Sequence, residues 1–309
     1  MPRLDEHAHG VFPISATPFT DNGEIDWESA DRLTDFYLQC GVHGLTLLGM
    51  MGEAQKLTLD EASSFAVRAI QRVNGRVPVV VGVSTGGLAP MAELTRRVMG
   101  AGAAGVLVAP PTGLRTDDQI FDYVRGVADV LGPDVPVIYQ DYPPTTNVYL
   151  SATLFLRMVP AFATMVMLKL EDCPGLDKLT RIRADSERDR LRRVSVLAGN
   201  GGLYFPQFLA RGADGAMTGF AFPDMLVQVY ERFVAGDRDG AENLFDAYLP
   251  LVVYEQQPGY GLAVRKEILR RRGAIRCAAT RAPGPRLRPE DTAEIDALIG
   301  RLERRLGGR

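Results

Sequence analysis

The apolar positions of this chain fall into short runs separated by longer amphipathic stretches, and the alternation repeats along most of its length. Residues 11–16 predict a first strand. Thr17-Pro18-Phe19 and an Asn22-Gly23 turn follow, and Asp26 then leads a helix that runs through Leu38. Residues 44–48 predict the second strand and 60–73 a helix. The valines of residues 77–83 suit a third strand that lies parallel to its neighbours and is covered on both faces. After a helical stretch at 93–99 come a strand at 105–109, a helix at 119–131 and a strand at 135–140, which Pro143-Pro144 is expected to end. Residues 154–158 sit in a helix before the sixth strand, 165–170. A helix beginning at 176–184, a strand at 194–197, a helix at 204–210 and a strand at 215–219 complete the alternating part.

Eight strands, each followed by a helical stretch, point to an α/β architecture in which the sheet closes on itself, a (β/α)8 TIM barrel. From Pro223 the pattern changes to helix after helix, at 225–235, 241–253, 264–272 and 292–306. The expected organisation is therefore a barrel over residues 1–222 and a C-terminal helical extension, 223–309, packed on it. The stretch Arg281-Ala282-Pro283-Gly284-Pro285 reads as a linker before the last helix.

Composition narrows the function without choosing it. The 309 residues are 46% apolar and 24% charged, ordinary for a globular protein, and the formal net charge is -3. That charge gives no electrostatic footprint for nucleic acid, so a small-molecule partner is expected. No apolar run approaches about 18 residues, so no membrane span is expected. Cys40, Cys173 and Cys277 are widely spaced and odd in number, which suits a reducing, cytoplasmic compartment. His7, His9 and His43 have no ligand-like spacing with Cys or carboxylates, so neither a metal nor a cofactor is expected.

In a parallel barrel, chemistry gathers where strands end, because the strand frame holds those side chains around one mouth. Lys169 stands at such an end, in Val166-Met167-Leu168-Lys169-Leu170-Glu171-Asp172. Burial disfavours an ammonium, and a neutral amine attacks carbonyls to form Schiff bases. The competing reading is a lysine that reaches water from the strand end or pairs with Glu171. Gly49-Met50-Met51-Gly52-Glu53 ends the second strand with a tight turn whose amides can point at an anion, although a plain structural turn explains it equally. Met50 and Met51 then form soft walls or fill core. Tyr139-Gln140-Asp141-Tyr142 ends the fifth strand. Alternation puts Gln140 and Tyr142 on one face and Tyr139 and Asp141 on the other, so one pair addresses the barrel axis. Gly199-Asn200 ends the seventh strand, and Met217 on the eighth completes the binding set. The run Gly82-Val83-Ser84-Thr85-Gly86-Gly87 is more cheaply explained as a turn than as a phosphate cradle.

Several spaced marks together resemble the dihydrodipicolinate synthase and N-acetylneuraminate lyase family of Schiff-base lyases. They are Thr17-Pro18-Phe19, Gly49 to Glu53 followed by Leu57-Thr58 and Glu61, Lys169, Gly199-Asn200, Gly212-Ala213-Asp214-Gly215, and Lys266-Glu267-Ile268-Leu269 with Arg272-Gly273. The resemblance implies a barrel that assembles as a tetramer or dimer, with Lys169 forming an imine to pyruvate or another 2-oxo acid.

The departures matter too. The family's loop after strand two carries two hydroxyl residues where this chain has Met50 and Met51. Gln140 stands where the family has a tyrosine, and glutamine cannot act as a general acid or base. The tyrosine-bearing loop after strand four reads Pro110-Pro111-Thr112-Gly113, and the synthase's substrate-gripping arginine falls at Thr145. These changes turn expectation toward the sugar-acid branch, dehydratases and aldolases of 2-oxo-3-deoxy acids. Glu171 or Tyr142 is then expected to move the protons, Gln140 to orient water or hydroxyls, and the 49–52 amides to hold the carboxylate. The alternatives are authentic dihydrodipicolinate synthesis and a non-catalytic 2-oxo-acid binder on the same fold.

Overall fold

A computed structural model describes residues 3–307. Its sheet has eight strands: β1 (Gly10–Pro13), β2 (Leu45–Leu47), β3 (Val79–Gly82), β4 (Gly105–Val108), β5 (Val137–Asp141), β6 (Met165–Leu170), β7 (Ser195–Ala198) and β8 (Gly215–Thr218). Each pairs in parallel with its neighbour in chain order, and β8 returns to β1. A parallel bridge between Ile14 and Thr46 joins the remaining edge and closes the ring. Every strand residue is buried, because the ring's inside is filled by side chains and its outside is covered by helices. That is why these segments read as unbroken apolar runs.

The helices begin where capping chemistry allows. Thr58 caps Leu59–Val73 and Thr116 caps Asp117–Leu131. In each, the threonine hydroxyl accepts from the third helical amide, and the Glu61 or Gln119 side chain accepts from the threonine amide. Two boundaries differ from the sequence expectation. The helix expected at 93–99 spans Leu88–Gly100, since Pro90 sits in the first turn, where its missing N–H has no intrahelical partner to lose. Pro143-Pro144 does not merely end β5 but opens a single helical turn, Pro143–Thr146, for the same reason.

The helix Pro223–Val234 follows β8 and packs on β1, so it takes the place of the eighth barrel helix. It lies one element inside the segment assigned to the extension. Arg238–Tyr254, Gly261–Arg271 and Pro289–Gly307 come after it, and Ile295 and Leu302 of the last join the same apolar core as the barrel.

One ion cluster ties these C-terminal elements to the barrel mouth. Glu53, fully buried after the β2 turn, accepts from Lys266 at 2.6 Å, from Lys56 at 2.7 Å and from the Arg281 amide at 3.0 Å. Phe19 lies between the Lys266 and Arg281 cations, 4.4 and 4.6 Å from its ring centre. Several of the spaced marks seen in the sequence are the parts of this clasp.

Candidate active site

The C-terminal ends of the strands surround a small cavity of about 60 Å³. Lys169 from β6, Gln140 from β5 and Tyr142 just beyond it line it, with Glu171, Met50, Met51 and Asn200. Gln140 and Lys169 are register partners, so the two side chains leave adjacent strands at one level and toward one side. The other pair on β5 faces outward, where Asp141 accepts from Lys178 at 2.7 Å. Burial pushes the Asp141 carboxyl up to about 7 even though Lys178 opposes it.

Lys169 is 1% exposed and does not reach for water. Its amine lies 2.8 Å from Oε2 of Glu171, so the two expectations for this lysine, desolvation and pairing with Glu171, both hold at once. Burial pulls its pKa below the ordinary lysine range. Glu171 opposes that shift, and the positive charge of Arg265 reinforces it.

Glu171 is itself held from several directions. Gln140 donates its Nε2 to Oε2 at 2.7 Å, and the Asn200 side chain donates to the Glu171 carbonyl at 2.8 Å. Gly199 packs directly beneath, and a Cβ there would stand 2.1 Å from Glu171 Cγ. Glycine at 199 is therefore required by the position of the carboxylate rather than by the turn alone. Asn200 adopts a left-handed backbone conformation, as do Leu48 and Glu53 at either side of the β2 turn. Such conformations gather where side chains or amides must be aimed against backbone preference.

The stretch from Gly49 to Gly52 forms a 3-10 turn, Met50–Gly52, and the first amides of a helical turn have no acceptor inside it. Thr17 fixes the turn by donating its hydroxyl to the Gly52 carbonyl at 2.7 Å. Gly49, Gly52 and Gly199 shape the wall without lining the cavity. Met217 is also off the cavity. It is fully buried in β8 on the same face as Lys169, to which it is related through Leu197 and Gly215, and it lies level with Phe12, while Thr218 at the strand end lines the cavity.

Above the chamber opens a vestibule of about 590 Å³ that shares Met50, Met51, Tyr142, Asn200, Gln256 and Arg265 with it. Burial raises the Tyr142 phenol above its ordinary pKa, and Glu171 adds to the shift. Arg265, on the helix Gly261–Arg271, and Glu255 and Gln256, in the turn that follows the helix Arg238–Tyr254, come from the C-terminal region and were not singled out in the sequence. The only local signal is a carboxylate, Glu255, directly after the apolar run Leu251-Val252-Val253-Tyr254.

Residues 7–301 match the dihydrodipicolinate synthetase family. The chain belongs to that family. Its likeness to L-2-keto-3-deoxyarabonate dehydratase of Azospirillum brasilense is 32% identity over 305 residues, 95% of this chain and 94% of the relative. With 4-hydroxy-tetrahydrodipicolinate synthase of Sorangium cellulosum it shares 30% over 278 residues, 86% and 88% of the two chains. The dihydrodipicolinate synthase structure from Rhodopseudomonas palustris superposes with a TM-score of 0.95 at 49% identity, covering 97% of this chain and all of that one. Membership makes this member of the dihydrodipicolinate synthetase family a Schiff-base lyase on a (β/α)8 barrel. Among the described residues no group of three or more His, Cys, Asp or Glu is placed to hold a metal ion, and no helix is long and apolar enough to cross a membrane.

Proposed function

We propose that the protein dehydrates a 2-oxo-3-deoxy sugar acid through an imine on Lys169. The observation that carries this reading is the buried Lys169–Glu171 pair at the barrel mouth, with Gln140 rather than a hydroxyl residue beside it. The Lys169 amine attacks the C2 carbonyl and water leaves, forming a protonated imine that withdraws electrons from C3. Glu171 takes a C3 proton, and the pair of electrons left behind moves toward the imine nitrogen. The electrons return to expel the C4 hydroxyl, to which Glu171 delivers the same proton, so the group departs as water. Hydrolysis of the unsaturated imine frees Lys169. The amides of Met50 and Met51 hold the substrate carboxylate, and Gln140 keeps Glu171 turned toward the reacting carbons.

Tyr142 lines the same chamber, but it is Glu171 that touches the amine, so we assign the proton transfers to Glu171. The likeness to a sugar-acid dehydratase along 95% of the chain supports dehydration over cleavage of the C3–C4 bond. A second reading, condensation of pyruvate with aspartate semialdehyde, draws support from the 49% identity to the Rhodopseudomonas palustris synthase. Thr145 in place of a substrate-gripping arginine speaks against it. Assembly as a tetramer or dimer, and a cytoplasmic location in keeping with three free cysteines, complete the proposal.

Borohydride reduction in the presence of pyruvate, followed by intact and peptide mass, tests the imine, and the expected result is one adduct on Lys169. Turnover of 2-oxo-3-deoxy acids then separates an enzyme from a binder, and product from aspartate semialdehyde would favour the second reading. An unmodified Lys169 would overturn the mechanism.

A further inference from the structure

The chamber around Lys169 contains a second cation. Arg265, on the helix Gly261–Arg271, lines both the chamber and the vestibule, and its Nε donates to Oε2 of Glu255 at 3.1 Å. Glu255 is fully buried at its side chain and also accepts from the Ala221 amide. Among the described residues the two terminal nitrogens of Arg265 have no acceptor, which leaves them to face the cavity. Next to Glu255, Gln256 lines the same space, and its Nε2 is buried without a hydrogen-bond partner. A buried donor left unpaired is unfavourable unless something fills it. Both groups converge beside Gly201. A Cβ there would stand 1.7 Å from Gln256 Nε2 and 3.5 Å from Arg265 Nη2, so the glycine keeps this corner open.

We infer that Arg265 and Gln256 form a specificity-determining subsite for the end of the substrate remote from the imine carbon, and that it selects hydroxyl groups over a second carboxylate. This rests on the reading of Lys169 as the imine-forming residue. Charge decides between the two termini. Before substrate enters, Lys169 is matched by Glu171 and Arg265 by Glu255, whose carboxyl burial raises to about 7 although Arg265 opposes the rise, so the site is balanced above that pH, where the kinetics below are to be measured. The carboxylate next to the imine carbon already adds one negative charge. A second one would bring four negative groups against two cations in a largely desolvated space, where unpaired charge is strongly unfavourable. A hydroxyl accepts from the guanidinium and from the Gln256 amide with no charge to neutralise. Glu255 thus converts an arginine that would clamp an anion into a neutralised donor for sugar hydroxyls.

Steady-state kinetics on two matched substrates test this: a 2-oxo-3-deoxyaldonic acid, which ends in a hydroxyl, and the 2-oxo-3-deoxyaldaric acid of equal length, which ends in a carboxylate. The wild-type protein is expected to prefer the aldonic acid in kcat/KM. Arg265→Gln should raise KM for that substrate by about 10- to 100-fold, the range for a lost hydrogen bond to a charged group, with a smaller effect on kcat. Pyruvate, which has no remote end, should still be trapped on Lys169 of this variant by borohydride, which also shows that it is folded. Glu255→Gln should shift the preference toward the aldaric acid. Equal or better turnover of the aldaric acid by the wild type, or loss of pyruvate trapping together with turnover in Arg265→Gln, would overturn the subsite. So would an unchanged KM in that variant. Failure of the wild type to trap pyruvate at all would instead sink the Lys169 reading, and this inference with it.

Discussion

The Lys169 amine and the Glu171 carboxylate stand 2.8 Å apart inside the mouth of the barrel, and Gln140 donates to the same carboxylate oxygen at 2.7 Å. Glu171 therefore acts on the lysine twice, by raising its proton affinity against the pull of burial and by standing ready to exchange protons with whatever bonds to it. The two roles separate in Glu171→Gln. Without the carboxylate, desolvation and Arg265 act unopposed, so Lys169 is neutral to a lower pH and the pH profile of pyruvate trapping moves to lower pH. Turnover falls by roughly 10²- to 10⁴-fold, the usual contribution of a positioned acid-base group. Trapping measured across pH alongside kcat checks both, and a profile that moves upward would contradict the arrangement.

Tyr142→Phe provides the comparison. It keeps the ring in the chamber wall and removes only the hydroxyl, so its loss of kcat should be smaller than that of Glu171→Gln in the same assay. The reverse order would transfer the proton-moving role to the phenol.

Gly199→Ala tests the support beneath Glu171. The added methyl meets Cγ at 2.1 Å, and either the carboxylate or the turn must give way. A strained insertion of this kind costs about 1–3 kcal/mol of stability. The informative readout is kcat, which should fall well beyond any change in folded fraction, because the carboxylate is displaced from the amine.

The clasp around Glu53 makes a stability prediction. Glu53→Gln leaves the Lys266 ammonium, fully buried and 2.6 Å from the altered group, without its counter-charge. Removing one member of a buried pair costs about 3–5 kcal/mol, and urea unfolding should show a loss of that order. An exposed pair such as Arg68 with Asp31 should show far less when broken in the same way.

Asp141 fixes the sign of one pH effect. Its carboxyl is raised to about 7 by burial, with Lys178 opposing and Asp172 and Glu171 adding to the rise. A carboxyl with a folded pKa above its unfolded value binds its proton more tightly in the folded state. Its contribution to stability is therefore lost as pH rises from the ordinary carboxylate range to about 7. Asp141→Asn should flatten the dependence of melting temperature on pH in that window, and a steeper dependence would contradict the assignment.

The strand order and the Lys169 site were legible because both follow from local rules. An unbroken apolar run marks a strand buried on two faces, and alternation separated Gln140 and Tyr142 from Tyr139 and Asp141, while only the register with Lys169 shows that the first pair faces the axis. Met217 shows the limit of strand position as a guide, since it shares the face of Lys169 through Leu197 and Gly215 and still does not line the cavity, whereas Thr218 at the strand end does. Arg265, Gln256 and Glu255 were not legible. They lie about ninety residues beyond Lys169, Arg265 on a helix whose polar positions look like any solvated face and Glu255 and Gln256 in the turn before it, and only the folding of that segment across the barrel mouth brings them to the cavity. The single helical turn Pro143–Thr146 escaped for a related reason, as four residues show no period.

Because Glu53 joins the β2 turn to Lys266 and to the backbone at Arg281, the rim that carries the Met50 and Met51 amides and the helix that carries Arg265 are fastened at one buried point. The reacting end and the selecting end of a bound molecule are thus gauged against each other by a single carboxylate that touches neither. Sequence drift that loosens this knot would blur substrate choice and catalysis together, so new specificities on this scaffold are best sought at Gln256 and Arg265, with Glu53 and Lys266 left alone.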